Sequence, residues 1–230
     1  MAPRNLVFDV NETLLDLSPL DAVFESLFGD PTLRASWFSS MLQWSMVTTL
    51  SGRYLDFAEL AEDSLEALAL HRGVTLDESS STALFDTIAM LTPHPEVPAA
   101  LEQLRANGFT LTALTNSPQR TVDAQFKRTG LTPLFTHVLS VDKAKKFKPH
   151  PEAYAVASTA LDCDPSDMRL VAAHDWDVTG AMRAGCAAAF VARGESTLHP
   201  AGERPDIIGP DLASVAGQLI AIANAENAGR

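Results

Sequence analysis

In the second half of the chain, short apolar runs alternate with stretches of helical spacing. The runs are Phe109 to Asn116 (FTLTALTN), His137 to Asp142 (HVLSVD), Arg169 to Asp175 (RLVAAHD) and Ala187 to Arg193 (AAAFVAR), with Pro205 to Gly209 (PDIIG) as a short last one. Each has the length of a strand and is apolar almost throughout, as a strand buried on both faces must be. Between them the spacing predicts helices. PEVPAALEQLRANG stops at Asn-Gly, SPQRTVDAQFKRTG stops at Gly130, PHPEAYAVASTALD opens on prolines that a first turn tolerates, and VTGAMRAG stops at Gly185. Strand alternating with helix predicts a parallel sheet covered on both faces.

The first half has a different rhythm. One apolar run, Leu6 to Val10, reads as a strand, and then LDAVFESLFG, ASWFSSMLQWSMVTTLSG, FAELAEDSLEALALHRG and DESSSTALFDTIAML carry helical periodicity with no convincing strand. Pro93 and Pro95 close this segment. The pattern divides the chain into an α/β unit of residues 1–17 and 94–230 and an all-helical insert of residues 18–93. The final NAENAGR is expected to fray.

Composition narrows the classes. Of 230 residues, 46% are hydrophobic, enough for a sizeable core, and no apolar run reaches the ~20 residues of a membrane helix. The N-terminus leads straight into a strand-like run, so no signal peptide is expected, and Cys163 and Cys186 read as reduced, isolated thiols of a cytoplasmic protein. The net charge of −12 argues against nucleic acid as a partner. The densest basic cluster is KAKKFK, Lys143 to Lys148, a local positive spot suited to a small anion if it borders a pocket.

In parallel sheets, ligands bind beyond the carboxyl ends of the strands. Here the first strand ends at Asp9, Asn11, Glu12 and Thr13, the second at Thr115, Asn116 and Ser117, and the fourth at His174, Asp175 and Asp177, while Lys148 lies just beyond the third. These four segments resemble the motifs of the haloacid dehalogenase superfamily. Asp9 with Thr13 is similar to its first motif, Thr115 to the second, Lys148 to the third, and HDWDVTGA to the fourth. The resemblance implies a Rossmann-like parallel sheet with helices on both faces and a helical cap inserted after the first strand. WDVTGA, TNSPQ and SGRYLDF are most similar to the L-2-haloacid dehalogenases. That implies a carboxylate nucleophile, a small anionic 2-halocarboxylate substrate, inversion at C2, no metal or other cofactor, a site role for Tyr154, and a possible homodimer.

The residues themselves suggest roles. An aspartate is ionised at neutral pH, so Asp9 can attack carbon without a base, forming an ester. Lys148 would offset the cost of burying it, Thr13 would orient it, and Asn11, Thr115 and Asn116 are placed to grip the substrate. Hydrolysis of the ester needs an activated water. The superfamily's dehalogenases carry Ser and Asn where this chain has Ala172 and His174. Imidazole titrates near working pH and serves as a base when an acid fixes its tautomer. Glu12 is the expected acid, with Asp177 holding Lys148 or its loop. The related enzymes use a cap arginine for the leaving halide where this chain has Phe38, so Gln43, Trp44 or Asn116 are the expected substitutes.

Two other readings compete. Magnesium-dependent phosphatases of the superfamily need an acid where Asn11 stands and another where Ala173 stands, although Asp175 is close by for a metal. A non-catalytic binding protein on the same fold would leave the Asp9 and Lys148 pairing without a purpose.

Overall fold

The computed structural model describes residues 2–194 and 196–228. Six parallel strands form one sheet: β1 (Asn5–Phe8), β2 (Thr110–Thr115), β3 (His137–Ser140), β4 (Met168–Ala172), β5 (Ala187–Val191) and β6 (Ile207–Gly209). Their order is β3-β2-β1-β4-β5-β6. The first strand is therefore central, with Phe8 facing Ala113 of β2 on one side and Val171 of β4 on the other. Strand order reverses at β1, and a crevice opens there at the carboxyl ends. Asp9 sits at its edge, and its N–H continues the ladder onto Val171 O at 3.1 Å.

Four helices follow β1: α1 (Asp21–Phe28), α2 (Leu33–Ser51), α3 (Phe57–Arg72) and α4 (Glu78–Ala89). They pack round Phe24, Trp37 and Leu65, all buried, and Trp37 donates its indole N–H to Ala61 O at 2.8 Å. A capping box starts α3: the Asp56 side chain accepts backbone N–H while Glu59 reaches back to the Asp56 N–H. The remaining helices are α5 (Val97–Ala106), α6 (Gln119–Thr129), α7 (Pro151–Leu161), α8 (Asp175–Arg183) and α9 (Leu212–Ala228). The expected tail is not frayed as far as it is described: α9 runs to Ala228 because Val215, Ala216, Leu219 and Ala223 bury a stripe of small and branched side chains.

The helical segment meets the sheet close to the strand ends. Phe147 N–H donates to Thr49 Oγ1 at 3.1 Å, the Tyr54 and Phe147 rings stack with centroids 5.0 Å apart, and Tyr54 hydrogen-bonds Asp142. On the other side, Gln125 donates to Ile88 O at 2.8 Å. Strand β3 stops at Ser140 because its hydroxyl accepts the Asp142 N–H and bends the chain into a short 3-10 turn. That turn begins the basic loop ending at Lys148.

Helix α8 comes closest to that loop at Gly180. A Cβ there would lie 2.3 Å from Pro149 Cβ and 2.6 Å from the Tyr154 hydroxyl. Neither neighbour has room to retreat, since Tyr154 is buried and Pro149 directly follows the buried Lys148. Gly180→Ala is therefore expected to destabilise the fold by about 1–3 kcal/mol through overpacking, measured as a lower urea midpoint with unchanged m-value.

Candidate active site

Lys148 is buried, yet it is charged because two carboxylates meet it. Its Nζ lies 2.7 Å from Asp9 Oδ1 and 2.7 Å from Asp177 Oδ2. Burial alone would lower the lysine pKa, but Asp177 and Asp9 together raise it above the ordinary value. The two acids respond in opposite directions. Burial pushes Asp9 up, but Lys148, then His174, and a hydrogen bond from Thr13 hold it below the ordinary carboxylate value. Burial also pushes Asp177 up, and there Lys148 and Tyr154 do not overcome it once Asp9 adds its repulsion. The site thus keeps Asp9 ionised, the state a nucleophile needs.

Thr13 has one hydroxyl hydrogen, and the fold decides where it points. The oxygen accepts the Ala173 N–H at 2.9 Å, so the O–H is directed to Asp9 Oδ2 at 2.6 Å. This hydroxyl ties the turn after β1 to the end of β4. Tyr154, on α7, donates to Asp177 Oδ1 at 2.6 Å, and its own pKa is raised well above normal by burial and by Asp177. Asn116 Oδ1 accepts the Lys148 N–H at 3.0 Å, which fixes the lysine's loop. Thr115 Oγ1 accepts the Ser117 N–H at 3.1 Å.

His174 stands between two aromatic faces. Its ring centroid is 5.8 Å from Phe38 of α2 and 5.3 Å from Trp176. Three oxygens gather round Nε2: Asn11 O at 3.2 Å, Asp9 Oδ2 at 3.7 Å and Glu12 Oε2 at 3.7 Å. Glu12 and Asp9 therefore approach the same nitrogen. The sequence pattern suggested Glu12 as the acid that fixes the tautomer, and the turn after β1 brings both Glu12 and Asp9 to the same ring nitrogen.

The expected substrate contacts divide. Asn11 faces the site and donates its amide to Ser117 Oγ at 3.1 Å. Asn11 and Ser117 form the polar floor of a cavity of about 60 Å³ whose walls are largely apolar, including Leu17, Trp37, Phe38, Met41 and Ile88. Gln43 and Trp44 are not brought to the site. The buried stripe of α2 carries Trp37, Phe38, Met41, Ser45 and Thr48, Gln43 lies exposed outside it, and Trp44 is 53% exposed over a groove formed with Leu60 and Ala67 of α3. Asp175 lines a separate cleft with Pro149, Trp176, Arg183 and His199. Among the described residues, no cluster of three His, Cys, Asp or Glu side chains is placed to hold a metal ion.

Ser117 was legible as part of the strand-end cluster, but its role beside Asn11 was not. Arg34 pairs with Glu12 at 3.0 Å, a contact across elements that no local spacing announces.

The chain and its fold match known proteins. The model of the haloacid dehalogenase-like hydrolases fits residues 3–185. This chain belongs to the haloacid dehalogenase-like hydrolases. It is 30% identical over 205 residues to the (S)-2-haloacid dehalogenase of Pseudomonas sp. (strain YL), covering 88% of each chain. It is 29% identical over 219 residues to haloacetate dehalogenase H-2 of Moraxella sp. (strain B), covering 94% of this chain and 97% of that one. The solved L-2-haloacid dehalogenase of Xanthobacter autotrophicus superposes with a TM-score of 0.88 at 26% identity, covering 95% of this chain and 98% of that one.

Removing the ammonium would leave two buried carboxylates facing each other. Lys148→Met is expected to cost about 3–5 kcal/mol at neutral pH. In that variant the folded-state pKa values of Asp9 and Asp177 rise above the unfolded value near 3.9. The penalty then shrinks as pH falls toward about 4, where both acids take up protons. Urea unfolding of both proteins across that range measures it.

Proposed function

We propose that this hydrolase removes halogen from short-chain (S)-2-haloacids, giving (R)-2-hydroxyacids, through an ester on Asp9. The observation that carries the proposal is Asp9 itself, a buried carboxylate held in its ionised form by Lys148 and Thr13, two residues before Asn11, which lines a small apolar cavity. The names of the relatives, (S)-2-haloacid and haloacetate dehalogenases, support the substrate class. A structure of the Xanthobacter autotrophicus enzyme with chloropropionic acid covalently bound, 25% identical to this chain, supports an ester.

In the first step an Asp9 oxygen attacks C2 from the side opposite the halogen. The C–O bond forms, the carbon–halogen bond breaks, and the halide leaves with the bonding pair, so the configuration inverts. The amides of Asn11 and Asn116 and the hydroxyl of Ser117 bind the substrate carboxylate and the departing halide, and Phe38 gives the halide an apolar wall. No acid is needed, which suits Asn11, whose amide has no proton to transfer.

In the second step water attacks the Asp9 carbonyl carbon. Its proton passes to the His174 and Glu12 pair, leaving an imidazolium across the 3.7 Å gap from the Glu12 carboxylate. The ester C–O bond breaks, the alkoxide takes that proton back, and the Asp9 carboxylic acid releases water's second proton to solvent, which restores the carboxylate. Asn11 O and Glu12 Oε2 are acceptors at hand for the imidazolium. General-base help of this kind is worth about 10²–10⁴-fold. Asp177 and Tyr154 keep Lys148 in place throughout.

In this proposal residues 18–93 act as a cap over residues 1–17 and 94–230, closing the reaction off from bulk water. No helix among the described residues is long and apolar enough to cross a membrane. A cytoplasmic setting suits the free Cys163 and Cys186. A homodimer through the cap would cover Trp44, Val47 and Leu50, which are 53%, 40% and 84% exposed.

The test offers (S)-2-chloropropanoate, chloroacetate and p-nitrophenyl phosphate, each with and without EDTA. The expected result is chloride and hydroxyacid release unaffected by EDTA, with no phosphate release. Magnesium-dependent phosphate release without chloride would contradict it. In His174→Ala, turnover is expected to fall at least about 100-fold while the ester accumulates on Asp9, seen as added mass on the intact protein.

A further inference from the structure

Glu12 is held more firmly than a turn requires. Its φ of 62° lies in the left-handed region, which glycine enters freely and glutamate does not. The backbone is pinned there: the Glu12 N–H donates to Leu15 O at 2.9 Å, and the carbonyl meets His94 Nε2 at 3.2 Å. Arg193 adds two bonds to the next carbonyl, Thr13 O, at 3.0 and 2.8 Å. This conformation divides the carboxylate between two partners. Oε1 accepts from Arg34 Nη1 at 3.0 Å, and Oε2 lies 3.7 Å from His174 Nε2.

Arg34 enters from α2, four residues before Phe38. Side chains at that spacing share a helix face, and here they converge on one target: Phe38 lies against the His174 ring, and Arg34 takes the carboxylate facing that ring. A further hydrogen bond from Arg34 Nε to Asp21 ties the guanidinium to α1. The arginine is thus oriented within the helical segment before it reaches the turn after β1.

We propose that Arg34 is a positioning residue for the hydrolysis half of the reaction, holding the Glu12 carboxylate toward His174 so that the water-activating pair is complete only when α2 is seated on the sheet. The inference rests on the ester reading above. Displacement of the halide needs Asp9, Lys148 and Thr13, with which Arg34 shares no hydrogen bond. Loss of Arg34 therefore falls on the second step alone.

The charged groups around the pair set the expected pH behaviour. Asp9 faces His174 from the end of β1, and Arg34 and Asp21 approach from the helical segment. Asp16, His94 and Arg193 line the same polar cleft as Glu12 and Arg34, of about 230 Å³. Arg34 is the cation in direct contact with the Glu12 carboxylate. Taking it away leaves that carboxylate facing Asp9 and Asp21 without its counter-ion, so the acidic limb of ester hydrolysis is expected to move to higher pH. A purely structural role would lower the rate at every pH and leave the limb where it was.

The experiment follows single turnovers of (S)-2-chloropropanoate in the wild type, Arg34→Met, Arg34→Lys, Glu12→Gln and the Glu12→Gln/Arg34→Met double variant. Chloride release reports ester formation, intact-protein mass reports the ester, and hydroxyacid reports hydrolysis. Arg34→Met is expected to keep its chloride burst within about two-fold while hydrolysis slows about ten-fold or more. Ester then accumulates and the acidic limb moves up. Arg34→Lys restores part of the rate and of the limb, and Arg34→Met adds nothing in the Glu12→Gln background. Equal losses in both steps, an unmoved limb, or additive losses in the double variant would overturn the role of Arg34. Should Arg34→Met fail to fold, Arg34→Lys against Glu12→Gln carries the same comparison. A wild type that releases chloride without ever carrying an ester overturns the underlying reading and this inference with it.

Discussion

The ammonium of Lys148 lies 2.7 Å from Asp9 and 2.7 Å from Asp177 in a buried setting, and the rest of the site is arranged to make that contact tolerable. Two carboxylates and one ammonium carry a net negative charge away from water, a costly grouping unless each atom finds a partner. Thr13 supplies one to Asp9 and Tyr154 supplies one to Asp177. The two acids nevertheless separate: Lys148 and His174 hold Asp9 ionised, while burial and the neighbouring Asp9 charge lift Asp177. Separation of two carboxylates by environment is how a single site assigns them different tasks.

The sheet topology makes this grouping possible. Because β1 lies between β2 and β4, its carboxyl end is flanked by residues from chain segments more than a hundred positions away. Asp9 therefore meets Lys148, Thr13 meets Ala173, and Asn11 meets both Ser117 and His174. The helical segment meets the same strand ends. Thr49 and Tyr54 fasten it beside Lys148, and Arg34 with Phe38 fastens it beside Glu12 and His174. Both attachments lie beside the polar cluster at the strand ends.

Much of this was readable from the chain. Buried parallel strands are apolar throughout, so a polar cluster at their ends stands out, and Asp9, Thr13, Lys148, His174 and Asp177 do converge. Rotation of a helix about its axis was harder to read. Nearly every position from Trp37 to Leu50 is apolar or small, so the pattern did not show that Gln43 and Trp44 fall outside the buried stripe. The side from which Glu12 approaches His174 depends on a left-handed backbone at a glutamate, which residue type argues against. Arg34 was invisible for a further reason: its partner lies on the turn after β1, 22 residues earlier in the chain, and a surface-type arginine early in a helix carries no sign of what it will meet. Helix α9 was missed because its stripe is alanine-rich and weakly patterned.

The central claim is that an Asp9 oxygen, and not water, displaces the halogen. A single turnover of (S)-2-chloropropanoate in heavy-oxygen water, with enzyme in excess, tests it most directly. The account predicts a hydroxyacid carrying ordinary oxygen and a heavy oxygen retained in the peptide that contains Asp9. Heavy oxygen in the hydroxyl group of the product, with that peptide unlabelled, would contradict it.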